Sequence, residues 1–286
     1  MRTTRSMMVY NSIYFISKQA EKLADAQTVT STGKQINKPS DDPVASGRLL
    51  SDRSTLSQHG QYQSNISQAM TWIEASETTL DSVSTFMQEA KEILSSLSLG
   101  TTSTTEDYAE ELKTIYDQIL SLANTRYGSC YMYGGDINTQ TAPFSNTVAV
   151  SSGVAENVLF EMAAEASSLT IEVADASSNV VRTLTVSGGT AGTNTIAWSG
   201  LDNNGNSLPD GQYDFTVSAI NADGKAVAVF PSYRGSEEGK KVLTEEDSIT
   251  FLNNDGGKIF GEALSTLSQA IIAIENGEDT NALSDI

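Results

Sequence analysis

The strongest constraint in this chain is a repeated spacing. Apolar or small residues recur at alternating intervals of four and three at Val9, Ile13, Ile16, Ala20 and Leu23. The same kind of seam returns at Ile66, Met70 and Ile73, then at Leu80, Val83, Met87, Ala90, Leu94 and Leu97, with two successive steps of three at Leu80. It returns again at Tyr108, Leu112, Ile115, Ile119 and Leu122, and at Phe260, Leu264, Leu267, Ile271 and Ile274. A period near 3.5 is the seam of helices packed side by side, so each stretch predicts a helix that must bury one stripe.

Breakers separate the helices. Thr32-Gly33-Lys34 ends the first, predicted over 6–30, with Gly33 suited to a left-handed cap. Pro39 and Pro43 then forbid helix through 34–43, and Asp41 and Asp42 ahead of Pro43 read as the start of the next. From there to Gly100 no proline occurs, which predicts a helix over 44–98, about 80 Å long at 1.5 Å per residue. The stretch 99–105 reads as a turn, with Thr104 and Asp107 as an approximate capping box for a third helix antiparallel to the second.

After Tyr127 the period changes to two. Leu169, Ile171 and Val173 alternate with polar residues, as do Tyr213, Phe215, Val217 and Ala219, then Val227 and Val229. Asn221-Ala222-Asp223-Gly224 reads as a hairpin connection, and Gly188-Gly189 and 201–211 as further turns. The reading is α+β: an elongated antiparallel helical bundle or coiled coil carrying an inserted β-sandwich centred on Trp198, Tyr213 and Phe215. Expected domains are 1–43 as terminal helix and elbow, 44–144 plus 256–286 as helical rod, and 145–255 as the insert.

Charge narrows the function. The 286 residues carry 36 acidic and 17 basic side chains, net −19, which disfavours broad nucleic-acid binding. The first sixty residues are net +3, so the rest holds −22. No run reaches the roughly 20 apolar residues of a membrane span, so no membrane insertion is expected. No apolar core of a cleaved leader follows Arg2 and Arg5.

Chemistry finds little support. His59 is the only histidine and Cys130 the only cysteine, which removes multi-histidine metal sites and an internal disulfide. The pairs Glu74/Glu77, Glu110/Glu111 and Glu245/Glu246 read as solvated charge rather than as general acid and base. Asp202-Asn203-Asn204-Gly205-Asn206 begins like a calcium loop, but Ser207 stands where glycine is required and Tyr213 where the bidentate glutamate belongs. No catalytic, cofactor or metal residues are assigned, and an enzyme is not expected.

The first helix is different. The elbow sets it apart from the bundle, and the second helix already has a partner in the third. Its stripe, Val9, Ile13, Ile16, Ala20 and Leu23, calls for helices from other copies, with self-assembly the expected mechanism.

Two segments then resemble a known family. Ser31 through Ala45, including Asn37, Pro39, Ser40, Asp41, Asp42 and Pro43, is similar to the flagellar hook-associated protein 3 family of hook–filament junction proteins. So are Asn124-Thr125-Arg126-Tyr127-Gly128 and Tyr131-Met132-Tyr133-Gly134-Gly135. Flagellin is similar over the same helices. Within the insert, Trp198 through Gly205 and Leu208 through Tyr213 resemble the β module of flagellar hook-cap proteins, over roughly 168–228. The resemblance implies an immunoglobulin-like outer domain on a non-catalytic flagellar subunit, exported through the flagellar channel without leader cleavage. The implied partners are other copies in a ring, a hook-side junction protein, flagellin and an export chaperone. In the family a further C-terminal helix pairs with the N-terminal one, and this sequence stops at Ile286. Filament flagellin, or adhesion through the β insert, are the alternatives.

Overall fold

The computed structural model describes residues 5–98, 105–136, 141–245, 248–252 and 255–278. Thr104, expected as a cap, and Glu246, one of the acidic pairs, lie outside the described residues. The chain divides into two compact units, Met1–Ser64 and Asn65–Ile286, so the division falls inside the long second helix rather than at the proline elbow.

The first unit holds α1 (Arg5–Thr32) and the opening of α2 (Pro43–Ser98). α1 ends where Gly33 takes a φ of 65° and its N–H donates to the Val29 carbonyl at 2.8 Å. That is the single-bond left-handed cap, open to glycine because it has no Cβ to strain. Thr28, Thr30 and Thr32 turn their hydroxyls back onto carbonyls four residues earlier, which satisfies them within the helix. No residue of α1 is buried.

In the second unit α2 from Asn65, α3 (Thr105–Ala123) and α4 (Gly256–Glu275) share one core. Leu112, Ile119 and Phe260 are fully excluded from water, joined by Trp72, Ala90 and Leu94 of α2 and by Leu264, Leu267 and Ala270 of α4. α2 and α3, paired by the periodicity, meet through side chains in that core, and α3 and α4 come closer by backbone. Alanine at Ala123 and Ala270 is buried there, where small side chains allow helices to draw together.

The seam of α2 also differs from its expected line. Ile66, Met70, Ile73 and Leu80 remain exposed, while Ala69, Trp72 and Thr79 are buried. The reason is tertiary. Trp72 meets the edge of Tyr127 at 5.3 Å, and Lys240 sits 3.8 Å above its ring, so the face of α2 that carries the tryptophan is the one covered.

After α3 a short hairpin pairs β1 (Arg126–Tyr127) with β2 (Cys130–Tyr131). The insert follows with β3 (Thr147–Ser151), β4 (Val154–Ala155), β5 (Val158–Met162), β6 (Ala166–Ala174), β7 (Val180–Gly189) and β8 (Gly192–Ile196). It continues with β9 (Gly211–Ile220), β10 (Ala226–Val227) and β11 (Val229–Pro231), and a second hairpin of β12 (Lys241–Glu245) and β13 (Ser248–Phe251) leads to α4. One sheet runs β4-β3-β9-β6-β7 with β10 added on β9, and the other runs β11-β5-β8, all antiparallel. Leu169, Ile171 and Val173 of β6 meet Val158, Phe160 and Met162 of β5 in a shared core, which makes the insert a sandwich. Val227 and Val229, one alternating run in sequence, belong to different sheets: the chain switches layers at buried Ala228.

Candidate assembly sites

The elbow after α1 is organised by its two aspartates. The Asp41 Oδ2 accepts the N–H of Lys38 at 2.9 Å and of Asn37 at 3.1 Å, and Asn37 turns its own amide onto the Lys34 carbonyl. Those backbone donors, Lys38 first, hold the Asp41 carboxyl below its ordinary range, since they favour the charged form. The Asp42 Oδ1 accepts from Val44 and Ala45, both at 3.0 Å, and Pro43 takes the first helical position. Asp42 is therefore the N-cap of α2 and Asp41 closes the preceding loop. Pro39 and Ser40 lie in the bend just before them, exposed.

The stripe of α1 lies on the surface: Val9, Ile13, Ile16 and Leu23 are each more than half exposed, with Ile16 at 69%, and Ala20 is exposed beside them. Met7, Met8, Tyr10, Tyr14 and Phe15 are exposed as well, so the apolar surface is wider than one seam. His59, on α2, meets the ring of Tyr62 edge-on at 6.2 Å.

At the end of α3, Asn124 works as a clamp. Its Nδ2 donates to the Phe144 carbonyl at 2.6 Å and its Oδ1 accepts the Phe144 N–H at 3.0 Å, so one side chain pairs both backbone groups of the segment entering the insert. Arg126 donates to the Ser129 carbonyl and lies 5.0 Å from the Tyr131 ring centre, bracing the β1–β2 hairpin. The Gly134 carbonyl accepts from Ser236, and Asp136 donates to the Glu238 carbonyl, so outgoing and returning chains are laced together. A Cβ on Gly135, whose φ is 78°, would fall 2.3 Å from the Ser236 carbonyl.

That lacing belongs to a neck which the sequence did not reveal. The Tyr233 hydroxyl donates to the Tyr133 carbonyl at 2.8 Å, and a Cβ on Gly235, Gly256 or Gly257 would collide with Tyr233 or Tyr133. Phe144, Tyr133 and Phe260 pack edge-on around it. Burial, with Asp255 nearby, pushes the Tyr233 hydroxyl up to about 12. The sequence by itself assigns no role to the glycines at 235, 256 and 257. Only Gly235 lies close along the chain to the aromatic residue that packs on it, Tyr233; Gly256 and Gly257 meet Tyr133 and Tyr233 from far off in sequence. On the insert's other side Asn276 pairs both backbone groups of Ala226, at 2.9 and 3.2 Å, and Lys225 meets Glu278 at 2.6 Å.

Within the sandwich Trp198 and Tyr213 meet edge-on at 5.9 Å with Phe215 buried among the same side chains. The indole donates to the Leu201 carbonyl at 3.2 Å and the Tyr213 hydroxyl to the Pro209 carbonyl at 2.8 Å, so both polar tips are satisfied. The Asp202 carboxylate is occupied by its own loop, accepting from Asn204 and Asn206, and its hydrogen bonds to Asn206 lead in lowering its pKa. Asp175 and Asn221 close equivalent loops the same way. The turn explanation thus accounts for the calcium-like spacing, and among the described residues no group of His, Cys, Asp or Glu is arranged to hold a metal. Among those residues no helix is long and apolar enough to cross a membrane.

With this geometry in view, the comparisons with known proteins fall into two parts. Residues 5–135 match the bacterial flagellin N-terminal helical region, and residues 145–223 match the FlgD Ig-like domain. The flagellin-type match takes in α1, α2, α3 and the hairpin after them, and not α4. Flagellar hook-associated protein 3 of Escherichia coli strain K12 is 32% identical over 159 residues, covering 54% of this chain and 50% of that protein. The same protein of Salmonella typhimurium is 31% identical over 145 residues, covering 50% and 45%. The chain spans about half the length of these curated relatives. A solved structure of a flagellar hook-associated protein of Vibrio parahaemolyticus is 20% identical, with a TM-score of 0.48, covering 87% of this chain and 79% of that one. The elbow and the Asn124 clamp fall inside the flagellin-like stretch, whereas Trp198, Tyr213 and Phe215 fall inside the FlgD-type one.

Proposed function

We propose that the chain is a structural, non-catalytic subunit of the bacterial flagellum, joining hook to filament by helix-mediated assembly of copies into a ring. The observation that carries this is α1: 28 residues of helix, none buried, with a stripe of the same spacing as the one that α3 buries at Tyr108, Leu112, Ile115 and Ile119. A surface of that kind is stabilised when neighbours remove it from water, at roughly 25 cal/mol per Å² of apolar area. The names of the curated relatives support the place of assembly. The Asp41–Asp42 elbow fixes the local chain path between α1 and α2, and the FlgD-type insert is the outward module. Hook-side junction protein, flagellin and an export chaperone are the partners in this reading, with export through the flagellar channel and no cleaved leader.

The match of residues 5–135 to flagellin favours a second reading, a filament subunit. Polymer length separates the two: purified chain should form layers of limited extent as a junction protein and long filaments as a flagellin. The test of the main reading is complementation of a strain lacking the gene. Wild-type sequence should restore motility and filament attachment, and an Ile13→Asp/Ile16→Asp variant should restore neither while still being exported. Full rescue by that variant would refute assembly through α1.

A further inference from the structure

The two tryptophans of this chain differ in one respect. Trp198 donates its indole N–H to the Leu201 carbonyl. Trp72 is only 3% exposed, and its Nε1 is buried with no acceptor among the described residues. A donor taken out of water and left unpaired gives up its hydration for nothing, so a buried N–H of this kind points to a partner that the chain itself does not supply. The same side chain lines a cavity of about 260 Å³, walled on one side by Gln68 and Tyr127 and on the other by Lys240 and Lys241 of the returning chain.

The cavity's charge runs against that of the molecule. The chain carries 36 acidic side chains against 17 basic. Its helical grooves follow suit, one lined by Glu89, Glu92 and Glu111 and another by Glu106, Asp107 and Glu110. Among the described residues around Trp72 two are lysines and none is acidic. Lys241 is engaged by Glu238, which is not among the lining residues. Lys240 lies over the Trp72 ring, 3.8 Å from its centre, on a stem long enough to lift.

We infer that the cavity beside Trp72 is a carboxylate-binding site, in which the indole N–H and the Lys240 ammonium each take one oxygen. A carboxylate answers both donors at once and brings the negative charge that a neutral carbonyl lacks. Lys240 is also the cover: as it lifts from the ring it opens the way to Nε1 and stays at hand for the second oxygen. The ligand is one chemistry with two sources, a small free carboxylate or an acidic side chain of a second copy. The inference does not draw on assembly through α1.

The indole N–H resonances of the dilute, isotope-labelled full-length chain read the site directly, with Trp198 as internal control. Sodium acetate is the probe, added at constant ionic strength so that screening does not change. The Trp72 signal should move downfield and saturate, while that of Trp198, already paired, stays in place. Lys240→Gln should weaken the response about tenfold, the worth of one charge-assisted contact. Lys240→Arg, which keeps the cation, should retain most of it, and Lys113→Gln, outside the cavity, should leave it unchanged. If concentrating the chain without acetate moves the Trp72 signal the same way, and Lys240→Gln suppresses that movement, the carboxylate belongs to a second copy. If acetate alone moves it, the ligand is a small free carboxylate. A Trp72 signal that neither acetate nor concentration moves overturns the inference, and so does one that sits at a hydrogen-bonded position throughout, which means a captive water only. Equal movement of Trp198, or an undiminished response in Lys240→Gln, overturns it as well.

Discussion

α1 and α3 have the same seam spacing and opposite fates. α3 buries Tyr108, Leu112, Ile115 and Ile119, and α1 buries nothing. The difference lies in what surrounds the seam. α3 backs its stripe with Glu106, Asp107, Glu110, Glu111, Lys113 and Asp117, a sharply two-faced helix with one way to sit. α1 spreads Met7, Tyr10, Tyr14 and Phe15 around its circumference, so a single partner on one side leaves apolar surface over. A seam predicts that a helix has a partner. The opposite face tells whether one partner is enough.

The sharpest way to break this comparison is a pair of truncations. Leu112→Ala, at a fully buried site, should cost about 2–5 kcal/mol in denaturant unfolding, by lost transfer energy plus the cavity left behind. Trp72 reports it, being in the same core, while Trp198 reports the sandwich. Ile16→Ala should leave the unfolding of the dilute chain within about 0.5 kcal/mol and weaken only self-association. Comparable losses at both sites would mean that α1 is docked in the solitary molecule.

Glycines sharpen it next. Gly135 and Gly33 both hold positive φ, but a Cβ on Gly135 meets the Ser236 carbonyl whereas one on Gly33 meets nothing within 4 Å. Gly135→Ala should therefore cost about 2–3 kcal/mol, conformational strain plus displacement of the returning chain. Gly33→Ala should cost about 1 kcal/mol, the strain alone, read as loss of helicity at the end of α1. Asp42→Ala should fall near that second figure, about 1 kcal/mol, through the lost N-cap of α2.

The sequence made the helices legible because their signals are local. Gly33, Pro43 and Asp42 each act through the backbone within four residues, and the element bounds follow. It made the sandwich core legible for the same reason: Leu169, Ile171 and Val173 alternate strictly, and Trp198, Tyr213 and Phe215 are too large to leave in water. What it hid was pairing. Nothing local says that Trp72 rather than Ile73 faces inward, since that depends on Tyr127 and Lys240, distant along the chain. Nor does it say that Val227 and Val229 belong to different sheets. The neck is hidden most fully, because Gly235, Gly256 and Gly257 are required only by Tyr133 and Tyr233.

The smallest expected effect lies in the elbow, and its sign can be worked out. Asp41 accepts two backbone N–H bonds in the folded loop, so its pKa there lies below the 3.8 of the free side chain. A depressed carboxyl contributes its stabilisation above the unfolded value and loses it as pH falls through the folded one. The elbow should thus be fully formed at pH 7, still substantially formed near pH 4, and should loosen only at lower pH. The Asn37 and Lys38 amide resonances would then move toward random-coil positions while those of α3 stay fixed. Asp41→Asn keeps an acceptor but removes the titration, so the same amides should show no transition between about pH 5 and 2. A transition that persists in Asp41→Asn would show that the Asp41 carboxylate is not what closes the loop, and the bend after α1 would then be held by the helix it leads into rather than by its own side chain.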